Sequence, residues 1–142
     1  MSLIRTFRLS LLGLLLSLFP FPSYGDFESE AVSEAINALD HFMQAGAENN
    51  ARRGAGLLEA FDVNERRAEY DTRLLYRRQH ELLSGYVSIS SDLYGYEIQR
   101  GFLGTSVKLE GGIETLSGVT AEFKARVVYK KKRWRIADLE ID

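Results

Sequence analysis

Three arginines and a tyrosine recur at helical spacing in the middle of the chain and form its most chemically suggestive pattern. Arg66, Arg73 and Arg77 fall within an arc of about 40° when residues advance around a helix, and Tyr70 lies at the edge of that arc. A guanidinium binds an oxyanion through two parallel hydrogen bonds, and a tyrosine adds area that a partner can bury. The pattern therefore predicts a partner or anion site for a phosphate, an anionic lipid or an acidic protein surface.

The same helix offers two of these arginines partners of their own. Glu69 precedes Arg73 by four residues, and Glu81 follows Arg77 by four, a spacing at which side chains on a helix meet. Such pairs would occupy the guanidinium groups locally and leave a solvated, salt-bridged face. The sequence leaves both interpretations open, the binding face and the solvated face.

Few residues are present for other kinds of site chemistry. The chain has no cysteine and only two histidines, His41 and His80, which excludes thiol catalysis, thiolate metal sites and a three-histidine metal centre. Helical spacing places both histidines well away from the apolar stripes, so we expect them to face water. The sequence carries no nucleophilic triad, metal-ligand set or phosphate-binding loop. We therefore assign no catalytic, metal or cofactor residue and expect no cofactor.

Residues 1–25 have the layout of a signal peptide. Two arginines near the start form a short basic region, the apolar run Leu9–Phe19 follows, and the small residues Ser23 and Gly25 precede a cleavage site. The apolar run is about half the roughly 20 residues that a membrane-spanning helix needs, which disfavours a membrane anchor. We expect export, cleavage near Gly25-Asp26, and a periplasmic or secreted mature protein.

Removal of this leader would leave residues 26–142, the size of one small domain. Two arginines would be lost from 18 basic residues, leaving 16 against 20 acidic residues and a net charge of −4. This balance gives no basic footprint for a nucleic acid, so we expect none as a partner. Lys130–Arg133 is a concentrated run of positive charge, which fits either a solubilising hairpin tip or contact with a membrane surface.

Helices are predicted in the first half of the mature domain. Apolar residues recur every three or four positions over Glu28–Ala45, which predicts an amphipathic helix. Ala47–Gly56 has the composition of a turn, and Leu57–Phe61 that of a short helical turn. A second long helix is predicted over Asn64–Leu83, with Asn64 as its N-cap.

The pattern changes to a period of two after Gly85, which indicates strands. The most regular run is Val119–Tyr129, where apolar and polar residues alternate as in an antiparallel strand with one solvated face. Helices first and strands afterwards indicate an α+β domain, with the N-terminal helices on one face of a curved antiparallel sheet of four to five strands.

The order of elements and the end of the chain resemble a known superfamily. A final hairpin with the pattern Tyr129-x-x-x-x-Trp134-x-Ile136-x-x-x-x-Ile141 follows helix, short helix, helix and antiparallel sheet. This arrangement resembles the cystatin-like roll, the superfamily of nuclear transport factor 2, ketosteroid isomerase and many small exported bacterial proteins. The resemblance implies a sheet wrapped into a cone around the helices, with a pocket that its members use in different ways.

These observations favour an exported, non-catalytic binding or interaction module whose partner is a protein or an apolar ligand. The first alternative is a carrier that holds a lipid or other apolar ligand in the cone. The second, which the resemblance implies, is an acid–base enzyme of the ketosteroid-isomerase type, with Asp40 as the nearest counterpart of a catalytic residue on the first helix. A homodimer through the sheet is a further expectation about partners.

Overall fold

The computed structural model describes residues 24–90, 96–102 and 104–142, with side chains described from residue 29 onward. The predicted signal peptide lies almost entirely outside these residues. Within the described part of the chain, none of the helices combines the length and the apolar character needed to cross a membrane.

Helices occupy the described chain as far as residue 83. They are α1 (Tyr24–Ala47), α2 (Ala51–Ala55), a 3-10 helix (Glu59–Asp62), α3 (Glu65–Arg78) and α4 (His80–Leu83). The predicted first helix and the predicted N-cap are confirmed, because the side chain of Asn64 accepts a hydrogen bond from the Arg67 amide at 3.0 Å.

Two helical expectations are wrong. The stretch predicted as a turn contains α2, which begins because the Asn50 side chain accepts a hydrogen bond from the Arg53 amide at 3.1 Å. The second long helix is interrupted at Gln79, whose φ of −103° and ψ of 22° depart from helical values. The helix therefore ends at Arg78, and the short α4 changes the direction of the residues that follow.

Five strands of the described chain form one antiparallel sheet. They are β1 (Tyr86–Ser90), β2 (Tyr96–Gly101), β3 (Gly104–Thr115), β4 (Ala121–Lys130) and β5 (Arg133–Ile141). The strand order is β1-β3-β4-β5, and β2 pairs with the first half of β3 while β1 pairs with its second half. The α+β architecture, with N-terminal helices packed on an antiparallel sheet of five strands, is thus as the sequence predicted.

The core lies between α1 and one face of the sheet, and α1 packs against every strand. Residues at alternate positions of β3 and β4 supply the sheet side of this core, as the period of two predicted. Its largest fully buried side chains are Leu39, Phe42, Met43, Leu83, Val107, Leu109, Ile113, Phe123, Val127 and Ile136. The opposite face carries charges of both signs, including the ion pair between Arg126 and Asp138 at 3.0 Å.

Segment 57–62 closes the outer edge of β5. The Ile136 amide donates to the Leu57 carbonyl at 2.8 Å, in a single parallel bridge. Arg135, whose side chain is buried, donates to the Gly56 carbonyl and to the Asp62 carboxylate. An arginine is rarely buried unless it is paired, so this contact ties the 3-10 helix to the sheet and covers an edge that could otherwise pair with another chain.

The β4–β5 hairpin ends in a tight two-residue turn. Lys131 and Lys132 have φ values of 52° and 65°, the pattern of a type I′ turn that usually carries asparagine and glycine. The turn therefore holds two lysines in a backbone conformation that non-glycine residues adopt at a cost. Lys130, just before it, donates to Glu59 at 2.6 Å, so one charge of the basic run is engaged with the 3-10 helix.

Two adjacent glycines of β3 provide a test of the packing. A Cβ at Gly111 would overlap the Ser90 carbonyl oxygen and approach the Phe123 ring to 2.9 Å, whereas at Gly112 the nearest atom is 3.9 Å away. We expect Gly111→Ala to lower the free energy of unfolding by at least about 2 kcal/mol and Gly112→Ala to change it by less than about 1 kcal/mol. Urea denaturation followed by circular dichroism measures both, and equal effects of the two substitutions would contradict the register of β1 against β3.

Candidate functional site

A cleft of about 680 Å³ lies between the turn that follows α1, the helix α2 and one side of α3. Its acidic and basic lining residues come from the α1–α2 turn, α2, α3 and α4, and they are Glu48, Arg52, Glu69, Arg73, Arg77 and His80. We call this site the basic cleft, because three guanidinium groups and only two carboxylates line it. The cleft carries more positive than negative groups, although the net charge of the whole chain is −2.

Tyr76 forms the floor of the basic cleft and fixes its depth. Its hydroxyl is buried and donates to the Phe42 carbonyl at 2.6 Å, and the two rings lie 5.2 Å apart between centroids. Gly54 of α2 lies against the same hydroxyl, and any side chain there would overlap it. The helices α2 and α3 therefore approach closely, which brings Arg73 and Arg77, on either side of Tyr76 along α3, to the wall of the cleft.

Glu69 organises two of the arginines. Its carboxylate is 2.7 Å from the Arg73 guanidinium and 3.5 Å from that of Arg52. The predicted pair of Glu69 with Arg73 is thus confirmed. At the rim, the Arg53 guanidinium forms an ion pair with the Glu48 carboxylate at 2.7 Å, so the negative charge of Glu48 is also neutralised.

Arg77 differs from its neighbours. The predicted pair with Glu81 is not among the ion pairs of the described residues, because the helix ends at Arg78 and Glu81 belongs to α4. Arg77 is exposed and has no carboxylate partner within the described part of the chain. Its guanidinium is therefore available for an oxyanion, while Arg73 and Arg52 hold Glu69 between them.

The four residues predicted from helical spacing divide into two groups. All four are exposed, but only Arg73 and Arg77 line the basic cleft. Arg66 precedes Arg73 by seven residues, about 10 Å along the helix axis, and with Tyr70 it lies on the exposed surface of α3 outside the cleft lining. The structure adds Arg52 to the group from another element.

His80 joins the cleft from α4, and it and His41 are both exposed, as expected. Helical periodicity gave no signal for Arg52 or for the cleft position of His80, because neither lies on α3. A pair of adjacent arginines at residues 52 and 53, in a segment rich in asparagine and glycine, was the only sequence feature pointing there.

A second polar cluster lies between α1 and β1, beside a groove of about 480 Å³. The Tyr86 hydroxyl donates to one carboxylate oxygen of Asp40, and the Gln44 amide donates to the other at 2.8 Å. Asp40 is half-buried. Burial, and then the hydrogen bond and negative charge of Asp40, raise the pKa of Tyr86, so its phenol keeps its proton.

No family model matches the chain, and neither a curated protein nor a solved structure matches it at a significant level. In the part of the chain that the structure describes, no three histidine, cysteine, aspartate or glutamate side chains gather in a way that could hold a metal ion. The side chains that line the basic cleft supply three guanidinium groups, an imidazole and two carboxylates.

Alkaline titration tests two tyrosines that border these sites, the buried Tyr76 and the half-buried Tyr86. Burial raises the pKa of Tyr76, as it does that of Tyr86, above the ordinary value of about 10. An acid whose pKa is raised by folding contributes stability that is present below about pH 10 and is lost as the pH rises further. We expect stability to fall above about pH 10, with two tyrosines ionising only as the protein unfolds.

The measurement is the ultraviolet absorbance of tyrosinate during titration, alongside circular dichroism. Tyr76→Phe and Tyr86→Phe should each remove one late-ionising group. If Tyr76 and Tyr86 ionised near pH 10 while the protein remained folded, the buried hydroxyl of Tyr76 and the contact of Tyr86 with Asp40 would be contradicted.

Proposed function

We propose that this chain is an exported, non-catalytic binding module and that its basic cleft receives an anionic group of a partner protein or small ligand. The observation that carries the proposal is the convergence of Arg52, Arg73, Arg77 and His80 from three elements on one cleft. Guanidinium groups recognise carboxylate, phosphate and sulfate groups through paired hydrogen bonds. Arg77, which pairs with no carboxylate among the described residues, supplies the first contact, and exchange of the Glu69 ion pairs would free two further guanidinium groups.

We also propose that the fold is a cystatin-like roll. The support is that one long helix, α1, packs against all five strands, as a helix enclosed by a curved sheet would do. The closing of the β5 edge by segment 57–62 is further support, because it keeps the sheet from extending on that side.

The proposal of a binding module has more support than the two alternatives. A carrier of apolar ligands needs an apolar cavity, whereas the inner face of the sheet is occupied by side chains such as Phe42 and Phe123. An acid–base enzyme would use Asp40. That carboxylate already accepts two hydrogen bonds from Tyr86 and Gln44, so both of its oxygens are engaged within the protein, which favours a structural role.

Export is part of the proposal and has its own test. We expect the full chain, expressed in a Gram-negative host, to appear in the periplasmic fraction with Asp26 as its first residue, because a signal peptidase removes the leader after small residues. Intact-mass measurement and N-terminal sequencing identify the cleavage site. A Gly25→Leu variant, which places a large residue at that site, should accumulate uncleaved. Retention of the wild-type chain in the cytoplasm at full length would contradict export.

Matched double substitutions on α3 test the basic cleft. We expect Arg73→Gln/Arg77→Gln to weaken anion binding at least tenfold, about 1.4 kcal/mol, because it removes two of the three guanidinium groups of the cleft. Arg66→Gln/Arg78→Gln removes the same charge from the same helix outside the cleft and should change affinity less than threefold. Isothermal titration calorimetry of the mature protein with phosphate, sulfate and acetate measures the effect at fixed ionic strength.

All four arginines are exposed, so both double variants should fold, and circular dichroism verifies that they do. Two outcomes would count against the cleft. Absence of saturable binding for every anion removes the proposed ligand class. Equal losses in both double variants would show that general positive charge on α3, and not the cleft, attracts anions.

A further inference from the structure

A small niche at the other end of α1 has a different chemical character from the basic cleft. Its volume is about 250 Å³, room for roughly eight water molecules, and it lies between the first turns of α1 and the sheet. Its walls are Glu30, Ala31 and Glu34 from α1, Thr105 from β3, and Tyr129 and Trp134 from the β4–β5 hairpin. It shares no lining residue with the basic cleft.

Two aromatic rings form one wall of this niche. Tyr129 and Trp134 are directly opposite each other on β4 and β5, with ring centroids 5.2 Å apart and planes tilted by 51°. Tyr129 is 41% exposed and Trp134 is half-buried, so both keep surface that a ligand can contact. The faces of aromatic rings carry negative electrostatic potential, and among them the indole ring of tryptophan attracts a cation most strongly.

Two carboxylates form the opposite wall. Glu30 and Glu34 are one turn apart on α1 and both are exposed. Neither takes part in an ion pair or a side-chain hydrogen bond found among the described residues, although the basic hairpin tip follows Tyr129 directly. Lys130 of that tip contacts Glu59 instead, at 2.6 Å. The niche therefore combines aromatic surface with negative charge that no ion pair among the described residues neutralises.

We propose that this niche binds an organic cation, a quaternary or alkylated ammonium group, between the rings of Tyr129 and Trp134 and the carboxylates of Glu30 and Glu34. Aromatic rings attract such a cation through its diffuse charge and contact its methyl groups at the same time. A hard metal ion would need several converging oxygen ligands, and the described residues gather no such set. The inference is independent of the basic cleft and of the anion that the cleft is proposed to take.

Trp134 is the only tryptophan of the chain, so its fluorescence reports directly on the niche. The experiment titrates the mature protein with choline and, in parallel, with the neutral isostere of choline in which carbon replaces the nitrogen. Ionic strength is held constant with sodium chloride. We expect a saturable fluorescence change with choline, and binding of the isostere that is at least tenfold weaker, because only the charge differs between the two probes.

Matched variants separate the niche from general electrostatics. Glu30→Gln/Glu34→Gln should weaken choline binding at least fivefold, whereas Glu110→Gln/Glu122→Gln, which changes the same charge on the exposed face of the sheet, should leave it unchanged. Tyr129→Leu should weaken binding while the protein remains folded by circular dichroism, since this side chain is partly exposed. Calorimetry repeats each titration, so that binding without a fluorescence change is still detected.

Three results would overturn the inference. The first is no saturable choline binding by either method. The second is equal affinity for choline and its neutral isostere, which would indicate an apolar contact only. The third is an equal effect of the two glutamate double variants. Because the Arg73→Gln/Arg77→Gln protein should bind choline like the wild type, failure here is distinguishable from failure of the basic cleft.

Discussion

The buried phenol of Tyr76 is the contact on which the helical half of the molecule depends. Its hydroxyl reaches the Phe42 carbonyl, which lies inside α1, and its ring packs on Phe42 itself. The position accepts a tyrosine only because Gly46 and Gly54 leave space around the ring and hydroxyl. An unsatisfied buried hydroxyl would cost about 1–3 kcal/mol, so α1, α2 and α3 are held in one mutual arrangement by a polar contact inside an apolar core.

The basic cleft is a consequence of that arrangement. The side chain of Tyr76 points into the core. Arg77, the next residue, and Arg73, three residues earlier, therefore lie along the boundary between α3 and its neighbours. Because α2 packs close to α3, Arg52 also lines the cleft. The interruption of the helix at Gln79 directs His80 towards the cleft, and it also keeps Glu81 from pairing with Arg77. A continuous helix to residue 83 would have paired that arginine locally and reduced the positive charge available to a ligand.

Properties that depend on one segment at a time were predictable from the sequence. The helix α1, the N-cap Asn64 and the alternating strands β3 and β4 each follow from a local period or cap. The buried Arg135 was not predictable, because its burial depends on the carbonyl of Gly56 and the carboxylate of Asp62, which are far away in the sequence. The candidate site divides in the same way: Arg73 and Arg77 came from helical spacing, whereas Arg52 and His80 required the packing of separate elements.

The two proposed sites lie near opposite ends of one rigid element. Glu30 borders the niche and Glu48, just beyond α1, borders the basic cleft; 18 residues of helix span about 27 Å. Charges separated by that distance are screened at physiological ionic strength, where the Debye length is about 8 Å. An anion in the cleft and a cation in the niche would therefore bind with little direct electrostatic influence on each other. A partner that carried both an anionic and a cationic group could bind both sites at once only if the distance between those groups matched the length of α1. The helix therefore sets the spacing that a partner of both sites must have.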